Sequence, residues 1–200
     1  MTKIKILSRV KPNLTRNNSD SCVKTYENQI MVQKPQKSYA GNYNMTHKYG
    51  FDKVFDDQCI NMDIYNELGI DMLMNVLKYK KNVTFYVYGQ TGSGKTHTIL
   101  GSPKERGFLH TLLSDMLEMK LDAKISFIEI YNNKCYDILN EKKQVFQRED
   151  SKNQFIVQNL KQKDLNQESD IQEIQTIISE NRKVGVSSEN STSSRSHLQI

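Results

Sequence analysis

The sequence predicts an α/β layered domain, and three observations carry that expectation. From about Ile64 onward, β-like runs alternate with amphipathic helical patterns. The run Val83 to Tyr88 is β-branched or aromatic throughout, as a buried strand should be. Directly behind it, Gly89, Gly94, Lys95 and Thr96 meet the spacing G-x-x-x-x-G-K-T, which belongs between a strand and a helix.

The elements follow in chain order. Lys3 to Leu7 is the first strand candidate. Asn13 to Tyr49 is rich in Asn, Lys, Ser, Gln and Tyr with weak periodicity, so long loops are expected, with a short strand near Gln29 to Val32. Leu68, Met72 and Val76, with Leu73 and Leu77 beside them, predict an amphipathic helix. Leu109, Leu112, Leu113, Met116 and Leu117 predict another. Lys124 to Tyr131 reads as one strand, with Ile125, Phe127 and Glu129 on one face and Ser126, Ile128 and Ile130 on the other, so both faces should be covered. Glu141 to Gln144 reads as loop and Gln154 to Val157 as strand. Ile171, Ile174, Ile177 and Ile178 mark the last helix, with Ser169 and Gln172 as its capping box. Each apolar stripe is explained by a core, and none needs a cofactor.

Composition bounds the function classes. The chain has 200 residues, enough for one domain or part of a larger one. Hydrophobic residues make up 36%, charged residues 26%, and mean hydropathy is -0.68, describing a soluble protein with polar loops. No stretch approaches a membrane span, and the N-terminus turns polar at Ser8 and Arg9, too soon for a secretory segment. The expected location is therefore the cytosol or nucleus. Cys22, Cys59 and Cys135 are scattered and fit neither a disulfide framework nor a zinc pattern, so reduced thiols are expected. The net charge of +5 comes from lysines interleaved with acids, which points to neither nucleic acid nor membrane as partner.

The loop Gly89-Gln90-Thr91-Gly92-Ser93-Gly94-Lys95-Thr96 carries the chemistry. Glycines allow φ > 0 and close approach, so successive N–H groups can curl around phosphate oxygens. The helix that follows points its positive end at the anion. Lys95 is expected at the β- and γ-phosphates and the Thr96 hydroxyl on Mg²⁺. A plain Gly-rich turn is the alternative, and the strand before the loop argues against it.

A second constellation stands at Asn190-Ser191-Thr192-Ser193-Ser194-Arg195-Ser196-His197, which composition alone would make a solvated loop. Read with the phosphate loop, it resembles the switch I motif of kinesin motor domains, Asn-x-x-Ser-Ser-Arg-Ser-His. Other segments resemble that family in the same order. Arg9-Val10-Lys11-Pro12 looks like its adenine-side Arg-x-Arg-Pro, with Lys11 in place of the second arginine. Phe51-Asp52-Lys53-Val54-Phe55 looks like Phe-Asp-x-Val-Phe. Tyr88 to Thr98 resembles the kinesin form of the phosphate loop, and Ser126 to Asn132 with Tyr136 to Leu139 the strand and loop beyond it.

The resemblance implies a P-loop NTPase fold with a kinesin-like central mixed β-sheet and flanking helices over residues 1–200. It implies ATP with Mg²⁺, microtubules as partner, and the cytoplasmic cytoskeleton as location. Arg9 and Pro12 would flank the adenine with His97 near it, and Gln90 to Thr96 would hold the phosphates and Mg²⁺. Asn190 and Ser193 would approach the γ-phosphate and the attacking water, and Ser194 would assist the metal alongside Thr96. Arg195 would pair with a switch II glutamate. Arg148 to Gln154 and Arg182-Lys183-Val184-Gly185 resemble the kinesins that depolymerise microtubule ends. That subfamily's Lys-Val-Asp tip has its nearest counterpart in Lys37-Ser38-Tyr39, which lacks the acid.

No Asp-x-x-Gly follows His197, so the domain is expected to be C-terminally incomplete, lacking switch II and the main microtubule-binding region. Arg195 would then stand without its acid, the sheet would expose edges, and the Mg²⁺ shell would lack its acidic member. Weak or absent turnover is expected of these 200 residues, with motor ATPase chemistry in a complete protein. The alternative is a nucleotide-binding relic or interaction module that does not hydrolyse. A P-loop kinase or GTPase fits less well: there is no guanine-reading Asn-Lys-x-Asp. These 200 residues contain no heptad repeat, so nothing in them argues for dimerisation.

Overall fold

The computed structural model describes residues 4–12, 22–38, 41–151, 153–183 and 197–200, with the backbone alone over 34–38, 41–44 and 182–183. The chain divides into two compact units, Met1–Leu68 and Gly69–Ile200. No helix among the described residues is long and apolar enough to cross a membrane.

The first unit runs β1 (Leu7–Arg9), β2 (Val23–Tyr26), β3 (Gln29–Ser38), β4 (Gly41–Gly50) and β5 (Lys53–Phe55) into α1 (Asn61–Leu77), which continues past its boundary. β1 and β5 pair in parallel, Leu7 opposite Lys53. Asp52 fastens that pair. Its carboxylate accepts the Ile6 N–H at 2.6 Å, and its own N–H donates to the Ile6 carbonyl at 2.8 Å. Val54 and Phe55 are buried, so the Phe-Asp-x-Val-Phe segment acts here as a structural clasp.

The long loops expected between Asn13 and Tyr49 are corrected in their described part. β2, β3 and β4 form an antiparallel sheet, and β3 and β4 stay in register from Gln29 opposite Gly50 to Ser38 opposite Gly41. Backbone hydrogen bonds build this ribbon, so its polar sequence hides it from a reading of apolar periodicity. The first strand also lies later than expected, at Leu7–Arg9 rather than Lys3 to Leu7.

The second unit runs α2 (Lys95–Leu100), β6 (Gly101–Ser102), β7 (Glu105–Arg106), α3 (Phe108–Glu118), β8 (Lys124–Ile125), β9 (Ile128–Tyr131), β10 (Lys134–Asp137), a 3-10 turn (Ile138–Asn140), β11 (Lys143–Glu149), β12 (Phe155–Gln158), β13 (Lys163–Asp164), α4 (Glu168–Lys183) and β14 (His197–Gln199). A five-stranded sheet has the order β12-β11-β10-β9-β14, with antiparallel neighbours throughout. Leu109 and Leu113 of α3 and Ile171, Ile174 and Ile178 of α4 pack into one core with Phe127 and Ile138. Burying each such side chain is worth about 1.5–3 kcal/mol.

Three local expectations change here. The predicted strand Lys124 to Tyr131 splits at Ser126 and Phe127, because β8 pairs with β13 while β9 pairs with β10 and β14. At the break the Phe127 carbonyl accepts the Ile138 N–H at 3.0 Å. Both faces are covered as expected, and buried Glu129 is matched by Lys142, 2.9 Å away. The loop expected over Glu141 to Gln144 is shorter, since β11 starts at Lys143; only Glu141 and Lys142 turn the chain, at φ 52° and 57°. The Ser169 and Gln172 capping box is not the one used. α4 begins at Glu168, and the Asp170 carboxylate reaches back to the N–H groups of Asn166 at 2.9 Å and Gln167 at 3.1 Å.

Candidate functional site

The strand expected at Val83 to Tyr88 is absent: no ladder among the described residues pairs with it, and Tyr86 and Tyr88 are 71% and 86% exposed. A β-branched and aromatic run fits a pleated, half-buried surface, but becomes a strand only beside a partner strand. What steadies the segment is Phe85, whose ring stacks on Phe108 of α3 with centroids 4.4 Å apart.

The glycine loop then turns the chain into α2. The Ser93 N–H donates to the Gln90 carbonyl at 3.1 Å. Gly94, the residue before α2, takes φ 101° and ψ 9°, a conformation that disfavours any side chain, and its carbonyl receives the Thr98 N–H at 2.9 Å. At Gly89 a Cβ would lie 2.5 Å from Ser93 Oγ and 3.2 Å from Ser93 Cβ, so a side chain here would make Ser93 shift. Lys95 folds back over the loop and its ammonium donates to the carbonyls of Gly89 at 2.7 Å and Gln90 at 2.9 Å. Gln90, Thr91, Gly92 and Thr96 are exposed. Chemically this is a loop of exposed backbone and hydroxyl groups with one cation held at its mouth, an arrangement suited to an anion.

Beyond α2 the chain makes the short hairpin β6–β7 and enters α3. Backbone packs on backbone here: a Cβ on Gly101 would strike the Glu105 carbonyl and the Gly107 N, and one on Gly107 would strike Leu100 and Gly101. The hairpin is thereby set against the end of α2. It brings Glu105 Oε2 to 3.3 Å from Nε2 of His97, with the two side chains 30% and 41% exposed. Sequence reasoning passes over Glu105, because its contact is made through a turn and leaves no periodic signal.

In the other unit, Arg9 lies at the end of β1 and its guanidinium donates to Asn61 Oδ1 at 2.6 Å and the Cys59 carbonyl at 3.0 Å. Asn61 is 2% exposed and was likewise not singled out by sequence. Burial pushes the Cys59 thiol up to about 11, and the charge of Arg9 opposes that rise. Pro12 is exposed in coil.

Asn190, Ser193, Ser194 and Arg195 lie outside the described residues. Their motif ends on His197, the first residue of β14, opposite Ile130 of β9. Among the described residues, no three His, Cys, Asp or Glu side chains cluster as a metal site.

Residues 9–200 match the kinesin motor domain family. The chain is 32% identical over 186 residues to the human kinesin-like protein KIF24, covering 89% of this chain and 14% of that protein. It is 30% identical over 203 residues to kinesin-like protein KIN-13B of Arabidopsis thaliana, covering 98% of this chain and 30% of the relative. It is 28% identical over 210 residues to KIF22 of Rattus norvegicus, covering 98% and 31%. The chain thus spans between 14% and 31% of the length of these relatives. Sequence order, phosphate-loop geometry and these matches together place the chain in the kinesin family, with the P-loop NTPase fold of its motor domain.

Proposed function

We propose that this chain binds ATP with Mg²⁺ through Gly89 to Thr96, as part of a kinesin motor that couples ATP hydrolysis to work on microtubules. That work is movement along them or removal of subunits from their ends, and it places the protein on the cytoplasmic cytoskeleton. The observation that carries the reading is the Lys95 ammonium held over the loop by the Gly89 and Gln90 carbonyls. Neutral carbonyls hold an ammonium less strongly than a phosphate oxygen does, so an arriving triphosphate can draw Lys95 onto itself.

The residues present fit the group. Gln90, Thr91 and Gly92 leave the loop backbone open to phosphate oxygens, and Ser93 and Thr96 carry hydroxyls. Thr96, exposed on the first turn of α2, is the residue we assign to Mg²⁺. When bound, Mg²⁺ neutralises phosphate charge. His97 is assigned to the nucleoside side. Ordered motif similarity supports Asn190 and Ser193 at the γ-phosphate and water, Ser194 beside Thr96 at the metal, and Arg195 as the ion-pairing residue of the same motif.

Phosphate release from Mg·ATP, measured with and without polymerised tubulin, tests the motor reading. Stimulation by tubulin is expected of the motor. In the complete protein, nucleotide binding with no stimulation would leave a non-hydrolysing module and remove the motor assignment. Microtubule length, followed in the same mixtures, separates end depolymerisation from movement.

A further inference from the structure

We infer that Glu105 is a positioning residue for His97: it fixes the imidazole at the helical side of the phosphate loop and thereby sets the part of nucleotide affinity that depends on the nucleoside. The inference rests on the nucleotide-binding reading above and adds a residue to it.

Three observations carry it. First, Glu105 Oε2 stands 3.3 Å from His97 Nε2. A carboxylate only accepts hydrogen bonds, so it favours the ring that carries its proton on Nε2. That choice makes Nδ1 the acceptor nitrogen of the neutral ring. Second, His97 follows Lys95 and Thr96 directly in the first turn of α2, so its backbone is fixed beside the two residues that close the phosphate loop. Third, the carboxylate is delivered by a rigid support. β6 and β7 pair Gly101 with Arg106 and Ser102 with Glu105, and Gly101 and Gly107 meet backbone to backbone. A flexible surface ion pair contributes little, because ordering two long side chains consumes the gain. Here the hairpin has already ordered the backbone that carries one of them.

The arrangement has the form of an outer partner that orients a ligand-facing histidine. A ring held in one tautomer and one position interacts with a nucleoside in one way only. A ring without the Glu105 carboxylate loses this restraint on its tautomer and position, and loses affinity for a base without disturbing the phosphates.

The test uses the whole chain and two probes, Mg·ATP and Mg·tripolyphosphate, which share the phosphates and differ in the nucleoside. Glu105→Gln is expected to weaken Mg·ATP about threefold to tenfold, the range of one hydrogen bond, and to leave Mg·tripolyphosphate unchanged. Glu105→Asp is expected to fall between. In a His97→Ala background, Glu105→Gln should have no further effect, and ¹⁵N spectra of the His97 ring should show the Nε2–H tautomer in the parent and a mixture in Glu105→Gln. Equal losses for both probes would mean that Glu105 acts through the loop's fold and would overturn the inference, as would no loss for either. If the parent chain binds neither probe, the nucleotide reading itself falls, and the inference with it.

Discussion

The Asp137 carboxylate, wholly buried at the end of β10, accepts the backbone N–H of Lys161 at 2.7 Å, 24 residues on. Its other oxygen accepts the Leu139 N–H at 3.0 Å and starts the 3-10 turn. One side chain therefore ties the sheet to the segment that leads into β13. Asp137→Ala leaves two buried donors unmet, and urea unfolding should show a loss of about 2–4 kcal/mol. A loss below about 1 kcal/mol would show that water or another acceptor replaces the carboxylate.

The start of α4 should make stability depend on pH at both extremes. Asp170 is held below its ordinary value first by the Asn166 N–H, then by the Gln167 N–H and the Lys163 charge. A depressed carboxylate contributes stability above its unfolded pKa and loses it as pH falls through the folded value. Lys163 is raised, chiefly by its hydrogen bond to Glu173 at 2.8 Å. Its contribution is present below its unfolded pKa and lost as pH rises through the folded value. Thermal melts of Asp170→Asn should therefore lie below the parent at neutral pH and converge with it in acid. Melts of Lys163→Met should converge with the parent only in strong base.

Thiol chemistry should separate the cysteines. Cys22 is exposed, whereas Cys59 is buried with its thiol pushed up to about 11. At pH 8 a disulfide reagent should modify Cys22 rapidly and leave Cys59 intact until denaturant is added. Rapid labelling of Cys59 in folded protein would contradict the packing around Arg9 and Asn61.

Gly89→Ala sets a Cβ 2.5 Å from Ser93 Oγ and 3.2 Å from Ser93 Cβ. Phosphate affinity should fall about tenfold, an effect of about 1.4 kcal/mol. Adding Ser93→Gly removes both clashing atoms and should restore part of the loss. If the second change restores nothing, the loop is not held by this contact.

The helices were legible because burial writes itself along them. The Leu109 to Leu117 stripe and the isoleucines of α4 point into the core that their spacing implies. Residues whose partners lie across a turn or a ladder were not legible. The β3–β4 ribbon is held by backbone bonds beneath a polar sequence, and Glu105 meets His97 only because a glycine-packed hairpin returns it. The tight Asn132-Asn133 turn between β9 and β10, with φ 50° and 58°, was not read from the sequence, although asparagine tolerates that conformation. The Val83 to Tyr88 run misled in the opposite direction: its composition describes a buried strand, but composition cannot supply the neighbouring strand that would bury it.

The central claim is that Lys95 and its loop hold a nucleoside triphosphate, and calorimetric titration of Mg·ATP into the parent and Lys95→Ala chains tests it most directly. Removing the ammonium removes charge-assisted bonds to phosphate, worth about 1.5–3 kcal/mol, so affinity should drop at least about tenfold while the melting curve stays close to the parent's. Equal affinity in the two proteins would take the loop from Gly89 to Thr96 out of nucleotide binding and contradict the account.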